Sequence, residues 1–157
     1  MADSVNTVNS GGGADYTTIQ AAIDDSDFTG IDRWVIEIQN NAAYAENLTV
    51  GGSTGTPSAT SHIFITATDA AYHDGQPVNG ARVAPTSAGN SIEITEDFVH
   101  LHKLGVLMSS ASGNSNECIR VVTSDDILIE RCFIDGQARN RTTNDGDCLY
   151  NDDDNDI

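Results

Sequence analysis

The sequence predicts an all-β fold in which short strands stack in parallel, coil upon coil, behind a short N-terminal capping α-helix. Three observations predict it: an internal repeat near 30 residues, strand-like runs separated by Gly, Asn, Asp and Ser, and a helical pattern confined to the start of the chain.

The helical pattern comes first. Gly11-Gly12-Gly13 breaks the chain, and Thr17-Thr18-Ile19-Gln20-Ala21-Ala22-Ile23 then sets Ile19, Ala22 and Ile23 on one face, with Asp15 or Thr17 placed to cap. A short helix near residues 17–25 follows from this. Trp34-Val35-Ile36-Glu37-Ile38 and Tyr44 to Val50 alternate apolar with polar residues and read as strands, with turn chemistry at Asn40-Asn41. Trp34 reads as a capping aromatic near the first coil rather than a sugar platform. Gly51 to Ser61 is a loop of Gly, Ser, Thr and Pro, and His62-Ile63-Phe64-Ile65-Thr66-Ala67 resumes the strand pattern.

Beyond Ala67 the short strands fit a sandwich, a barrel or a solenoid, and the repeat chooses among them. Glu117-Cys118-Ile119 matches Asp147-Cys148-Leu149 at a step of 30, and Asp126-Ile127 matches Asp156-Ile157 at the same step. Val99-His100-Leu101-His102-Lys103-Leu104-Gly105-Val106 matches Ile127-Leu128-Ile129-Glu130-Arg131-Cys132-Phe133-Ile134 at a step of 28. Stacked coils need such a pattern, because each strand pairs in parallel with its equivalent about 4.8 Å away and like residues lie on like. Val99, Leu101, Leu104 and Val106 are therefore expected to stack on Ile127, Ile129, Cys132 and Ile134. Residues 1–157 read as the N-terminal portion of one such domain, with 1–30 as cap and 31–157 as coils, cut short because Ile157 begins another strand run.

Composition narrows the partners. Among 157 residues there are seven Lys+Arg against 24 Asp+Glu, a net charge of -17, which repels nucleic-acid phosphates and anionic lipid alike. Neither nucleic acid nor membrane is expected as a partner. The acidity fits salt adaptation, a self-repelling soluble surface or divalent-cation sites, and a solvated acidic face is the simplest of these. The start Met1-Ala2-Asp3-Ser4 lacks the basic and apolar parts of a secretory signal, so synthesis in the cytoplasm is expected. Cys118, Cys132 and Cys148 form no CxxC pair and read as buried, unbridged apolar residues.

The stretch Gly13-Ala14-Asp15-Tyr16-Thr17-Thr18-Ile19-Gln20-Ala21-Ala22-Ile23 resembles the start of the pectin-lyase-like superfamily of right-handed parallel β-helix (solenoid) proteins, whose short helix caps the first coil. A narrower likeness is to β-helix proteins of phages and prophage regions. It rests on Trp34-Val35-Ile36-Glu37-Ile38, Ile63-Phe64-Ile65-Thr66-Ala67, Tyr72-His73-Asp74-Gly75 and Glu96-Asp97-Phe98-Val99, and covers most of residues 5–157. This resemblance implies a right-handed parallel β-helix and a virion-associated protein of the tailspike, tail-fibre or capsid-decoration kind. It also implies oligomers, since trimeric spikes are common in that family.

No catalytic residue is assigned. The polygalacturonase-like and pectin methylesterase motifs of the resembled family are absent, as are a Walker loop, Gly-x-Ser-x-Gly and His-Glu-x-x-His. The outward cluster of mixed chemistry is His100, His102, Lys103, Glu130 and Arg131, a candidate binding surface. His100 and His102 stand at i and i+2 and share one strand face, although two ligands make a weak metal site and exposed histidines are the plainer reading. His73 reads as a turn residue. Asp125, Asp126, Asp152, Asp153 and Asp154 are acidic corners that a 30-residue step would stack, with calcium as the ion they would take; Asp is also a common turn residue. The expected function is a virion structural or surface protein, a rigid projection for assembly or host attachment, partnered by its own copies or other virion proteins and by host surface polysaccharide. The alternative is a polysaccharide lyase or hydrolase whose site lies beyond residue 157, and a bacterial adhesion module is disfavoured for want of an export signal.

Overall fold

The computed structural model describes residues 2–76, 78–108, 117–136 and 148–152. Strand β1 (Ser4–Val8) leads into helix α1 (Ile19–Asp24), followed by β2 (Arg33–Ile38), β3 (Ala43–Tyr44), β4 (Leu48–Val50), β5 (His62–Ala67), β6 (Arg82–Val83) and β7 (Ile92–Ile94). Then come β8 (Val99–His102), β9 (Gly105–Leu107), β10 (Ile119–Val121), β11 (Leu128–Glu130), β12 (Phe133–Asp135) and β13 (Leu149–Asn151).

The helix forms where the apolar spacing put it, with Ile19, Ala22 and Ile23 buried. Its cap is Thr18, whose hydroxyl accepts from the Ala21 N–H at 3.3 Å, and not Asp15 or Thr17. Asp15 instead accepts from the Thr7 N–H and hydroxyl at 2.8 and 2.7 Å. The Glu46 carboxylate takes the free N–H groups of Ile19 and Gln20 at 2.9 and 3.1 Å. Trp34 does act near the cap, donating its indole N–H to Ala22 O at 3.0 Å. Gln20 spreads its amide along the edge of β4, accepting from Thr49 N–H at 2.8 Å and donating to Thr49 O at 3.1 Å, as a neighbouring strand would.

All strand pairings between named strands are parallel, and they fall into three sheets: β1-β2-β5-β8-β11, β3-β6-β9-β12 and β4-β7-β10-β13. This corrects the expected fold class. In place of a single right-handed β-helix solenoid, the described residues form a small all-parallel-strand, α/β-type fold of three parallel sheets with almost no helix. The physical reason is that 28- and 30-residue steps state which strands are neighbours and in what register, but not how strands are partitioned among sheets. The segment Tyr44 to Val50, expected as one strand, is likewise divided, with Ala43–Tyr44 and Leu48–Val50 in different sheets.

Register follows the repeat closely. Leu101 lies opposite Ile129, Val106 opposite Ile134, and Ile119 opposite Leu149. The inward columns form one apolar core, in which Ile36, Ile38, Ile63, Ile65, Ile92, Ile94, Leu101, Leu104 and Ile119 are fully buried. Burying each such side chain stabilises by about 1.5–3 kcal/mol, which is why like-on-like stacking recurs. Cys118, Cys132 and Cys148 are unbridged, but only Cys118 is buried; Cys132 is half-buried and Cys148 is exposed, which corrects the expectation that all three lie inside.

Candidate functional site

The alternation of β2, β5, β8 and β11 turns one set of side chains away from the core. Cross-strand register then lines them up: Val35, Phe64, His100 and Leu128 in one column, Glu37, Thr66, His102 and Glu130 in the next, with Arg33 beside His62. Val5 of β1 extends the first column at its other end. Three of the five predicted binding residues, His100, His102 and Glu130, therefore share the outer face of the five-stranded sheet.

Phe64 is the hub of that face. Its ring meets His100 edge-on at a centroid distance of 4.7 Å, stacks with His102 at 5.6 Å, and carries the Arg33 guanidinium 5.3 Å from its centroid. The His100 and His102 rings are 5.7 Å apart. His102 Nδ1 lies 3.0 Å from the Thr66 hydroxyl, which sends its proton to the ring or to Ala67 O according to the ring's tautomer. Glu130 approaches His100 Nε2 at 3.4 Å but off the line of a hydrogen bond, so this buried nitrogen has no hydrogen-bond partner among the described residues. Burial pushes His62, His100 and His102 below the usual imidazole range; the Arg33 charge adds to it at His62, His102 at His100, and Lys103 at His102.

Lys103 and Arg131 take a different place. Both sit just past a strand end with φ of 56° and 53°, so the equivalence read from the repeat is a shared left-handed corner. Lys103 Nζ reaches Asp69 at 2.5 Å and lies 5.7 Å from the Tyr72 ring centroid. The hydrogen bond to Lys103 holds the Asp69 carboxyl below the usual carboxylate range. Arg131 contributes its carbonyl, 2.8 Å from His73 Nε2. His73 is thus more than a turn residue: it is buried, its Nδ1 takes the Gly75 N–H at 3.2 Å, and so Nε2 carries the proton donated to Arg131 O. Gly80 lets the loop close over it, since with φ of +80° any Cβ would stand 2.4 Å from His73 Cα.

The described acidic corners, Asp125, Asp126 and Asp152, have separate partners or roles. The Asp125 N–H donates to Asp97 Oδ1 at 2.8 Å, Asp126 occupies a left-handed turn with φ of 57°, and Asp152 pairs with Arg120. Arg120 also lies 3.7 Å from Glu93, giving a Glu93, Arg120, Asp152 ladder across β7, β10 and the end of β13. Asp153 and Asp154 lie outside the described residues. Among the described residues no three His, Cys, Asp or Glu side chains are placed to hold a metal ion, and no described helix is long and apolar enough to cross a membrane.

The repeat missed His62, Phe64, Thr66 and Asp69, because the loop between β5 and β6 stretches the step from Thr66 to His102 to 36 residues. The alternation in His62-Ile63-Phe64-Ile65-Thr66 was the signal that placed His62, Phe64 and Thr66 on one face. No protein-family model matches the chain, and no curated protein matches it in sequence.

Proposed function

We propose that the protein is a rigid structural or surface protein of a bacteriophage virion, serving assembly or host attachment rather than turnover of a substrate. One observation carries the reading: the charged groups bordering the candidate face are bound to neighbouring side chains rather than presented to a substrate. Lys103 is held by Asp69, His102 by Thr66 and Arg33 by Asp3, so these side chains tie strands and loops together. Stacked parallel strands that satisfy one another's backbone groups make a stiff body without a ligand. The virion setting rests on the sequence resemblance, and with it the partners: further copies, other virion proteins and host surface polysaccharide. The net charge of -17 supports partners other than nucleic acid.

Two measurements test it together. Antibody against the chain should decorate intact particles in electron micrographs, and incubation of the full-length protein with host capsular or cell-wall polysaccharide should release neither reducing ends nor unsaturated uronates. Release that Lys103→Ala or Arg131→Ala abolishes would replace the structural reading with a depolymerase.

A further inference from the structure

We propose that the imidazole cluster on the outer face of the five-stranded sheet, His62, His100 and His102 around Phe64, is a proton-operated switch that weakens the β5-β8-β11 ladder in mild acid. The geometry is that of imidazoles packed close to one another and to cations: the His100 and His102 rings are 5.7 Å apart, and the Arg33 guanidinium lies 5.3 Å from the Phe64 centroid. Permanent cations already border it: Arg33 on β2, Lys103 at the corner after β8 and Arg131 at the corner after β11. Of the carboxylates around it, Asp3 is bound to Arg33 and Asp69 to Lys103. Glu37 on β2 and Glu130 on β11 are the face's other acids, with Asp32 just ahead of β2.

The three rings answer a proton differently. At His102 the Thr66 hydroxyl can turn, accepting from a protonated Nδ1 and donating to Ala67 O. At His100 the buried Nε2 has no hydrogen-bond partner among the described residues, and a proton there gains the Glu130 carboxylate 3.4 Å away on the next strand, which offsets part of the burial cost. His62 gains its charge beside the Arg33 guanidinium. Three added charges around one phenyl ring repel one another and the neighbouring cations, and the cost falls on the side-chain columns that join β5, β8 and β11.

The sign follows from linkage. These rings titrate lower in the folded chain than in the unfolded one, so the unfolded chain binds protons first. The stability at stake is fully present above the unfolded value near 6.5 and is lost as pH falls towards the folded values. This window lies above that of the aspartates, so the two separate in a pH series.

The test is the melting temperature of the full chain from pH 7.5 to 5.0, in the wild type and in the combined His62→Gln, His100→Gln, His102→Gln variant. The wild type should lose about 3–8 °C over that interval and the variant should lose most of that dependence. A variant with the wild-type slope overturns the proposal. Proton NMR of the wild-type imidazoles decides independently should the variant fail to fold: two or three of these rings titrating below 6.5 support the switch, and fewer than two overturn it.

Discussion

Two outer sheet faces of this molecule solve the same problem with different chemistry. On the five-stranded sheet, imidazoles and a phenyl ring stack across β5 and β8; on the sheet of β4, β7, β10 and β13, Glu93, Arg120 and Asp152 form a charge ladder. Both follow from one rule, that parallel register brings equivalent positions of neighbouring strands together, and both lie over the same core. What differs is the proton. The ladder is built from two carboxylates and a guanidinium, whereas the other face is built from imidazoles, whose charge responds to mild acid. Cross-strand stacking therefore decides where side chains meet, and residue identity decides whether the contact responds to pH.

The comparison breaks first at the core. Leu101, between His100 and His102 on β8, and Ile119, next to Arg120 on β10, are fully buried. Leu101→Ala or Ile119→Ala should each cost about 2–5 kcal/mol, read by urea denaturation, and either should weaken both faces because the core is shared. The aspartates give the next separation. Hydrogen bonds from Thr7 hold Asp15 below its usual 3.8, and the bond to Arg33 does the same for Asp3. Their stabilisation is present above 3.8 and lost as pH falls through the lower folded values. A second fall in melting temperature below pH 4 should therefore appear, and Asp15→Asn should shrink it without touching the step above pH 5.

The charge ladder should yield less. Arg120 and Asp152 are each about a third exposed, so Arg120→Met is expected to cost no more than about 1 kcal/mol in chemical denaturation, and less in high salt. It should leave the slope between pH 7.5 and 5.0 unchanged, which sharpens the contrast with the imidazoles. The smallest effect is at the corners. Arg131→Gly relieves a left-handed backbone and keeps the carbonyl that binds His73, so a gain of about 0.5 kcal/mol is expected in the same measurement.

Much of the local structure was legible. Ile19, Ala22 and Ile23 announced the helix, and alternation announced the strands at 33–38 and 62–67. The 28- and 30-residue steps gave the pairing of Leu101 with Ile129 and of Ile119 with Leu149. The cap was misread because Thr17, Thr18 and Asp15 are all competent, and only the approach of Thr7 took Asp15 away. Within the candidate face, His100, His102 and Glu130 were visible because they lie inside a repeat, while Phe64 and Asp69 were hidden by the unequal loop between β5 and β6. Lys103 and Arg131 were correctly paired with each other but placed on a strand face, since a side-chain pattern carries no record of φ.

By itself the sequence determined the strand-forming segments, the inward columns and the parallel register, because these depend on residue spacing and on apolar residues leaving water together. Only the tertiary structure decided that the strands divide among three sheets, that Lys103 and Arg131 turn corners, and that His62, Phe64, His100 and His102 meet on one surface. Those outcomes depend on backbone direction at the bends and on loop length, and the periodicity of side chains is blind to both.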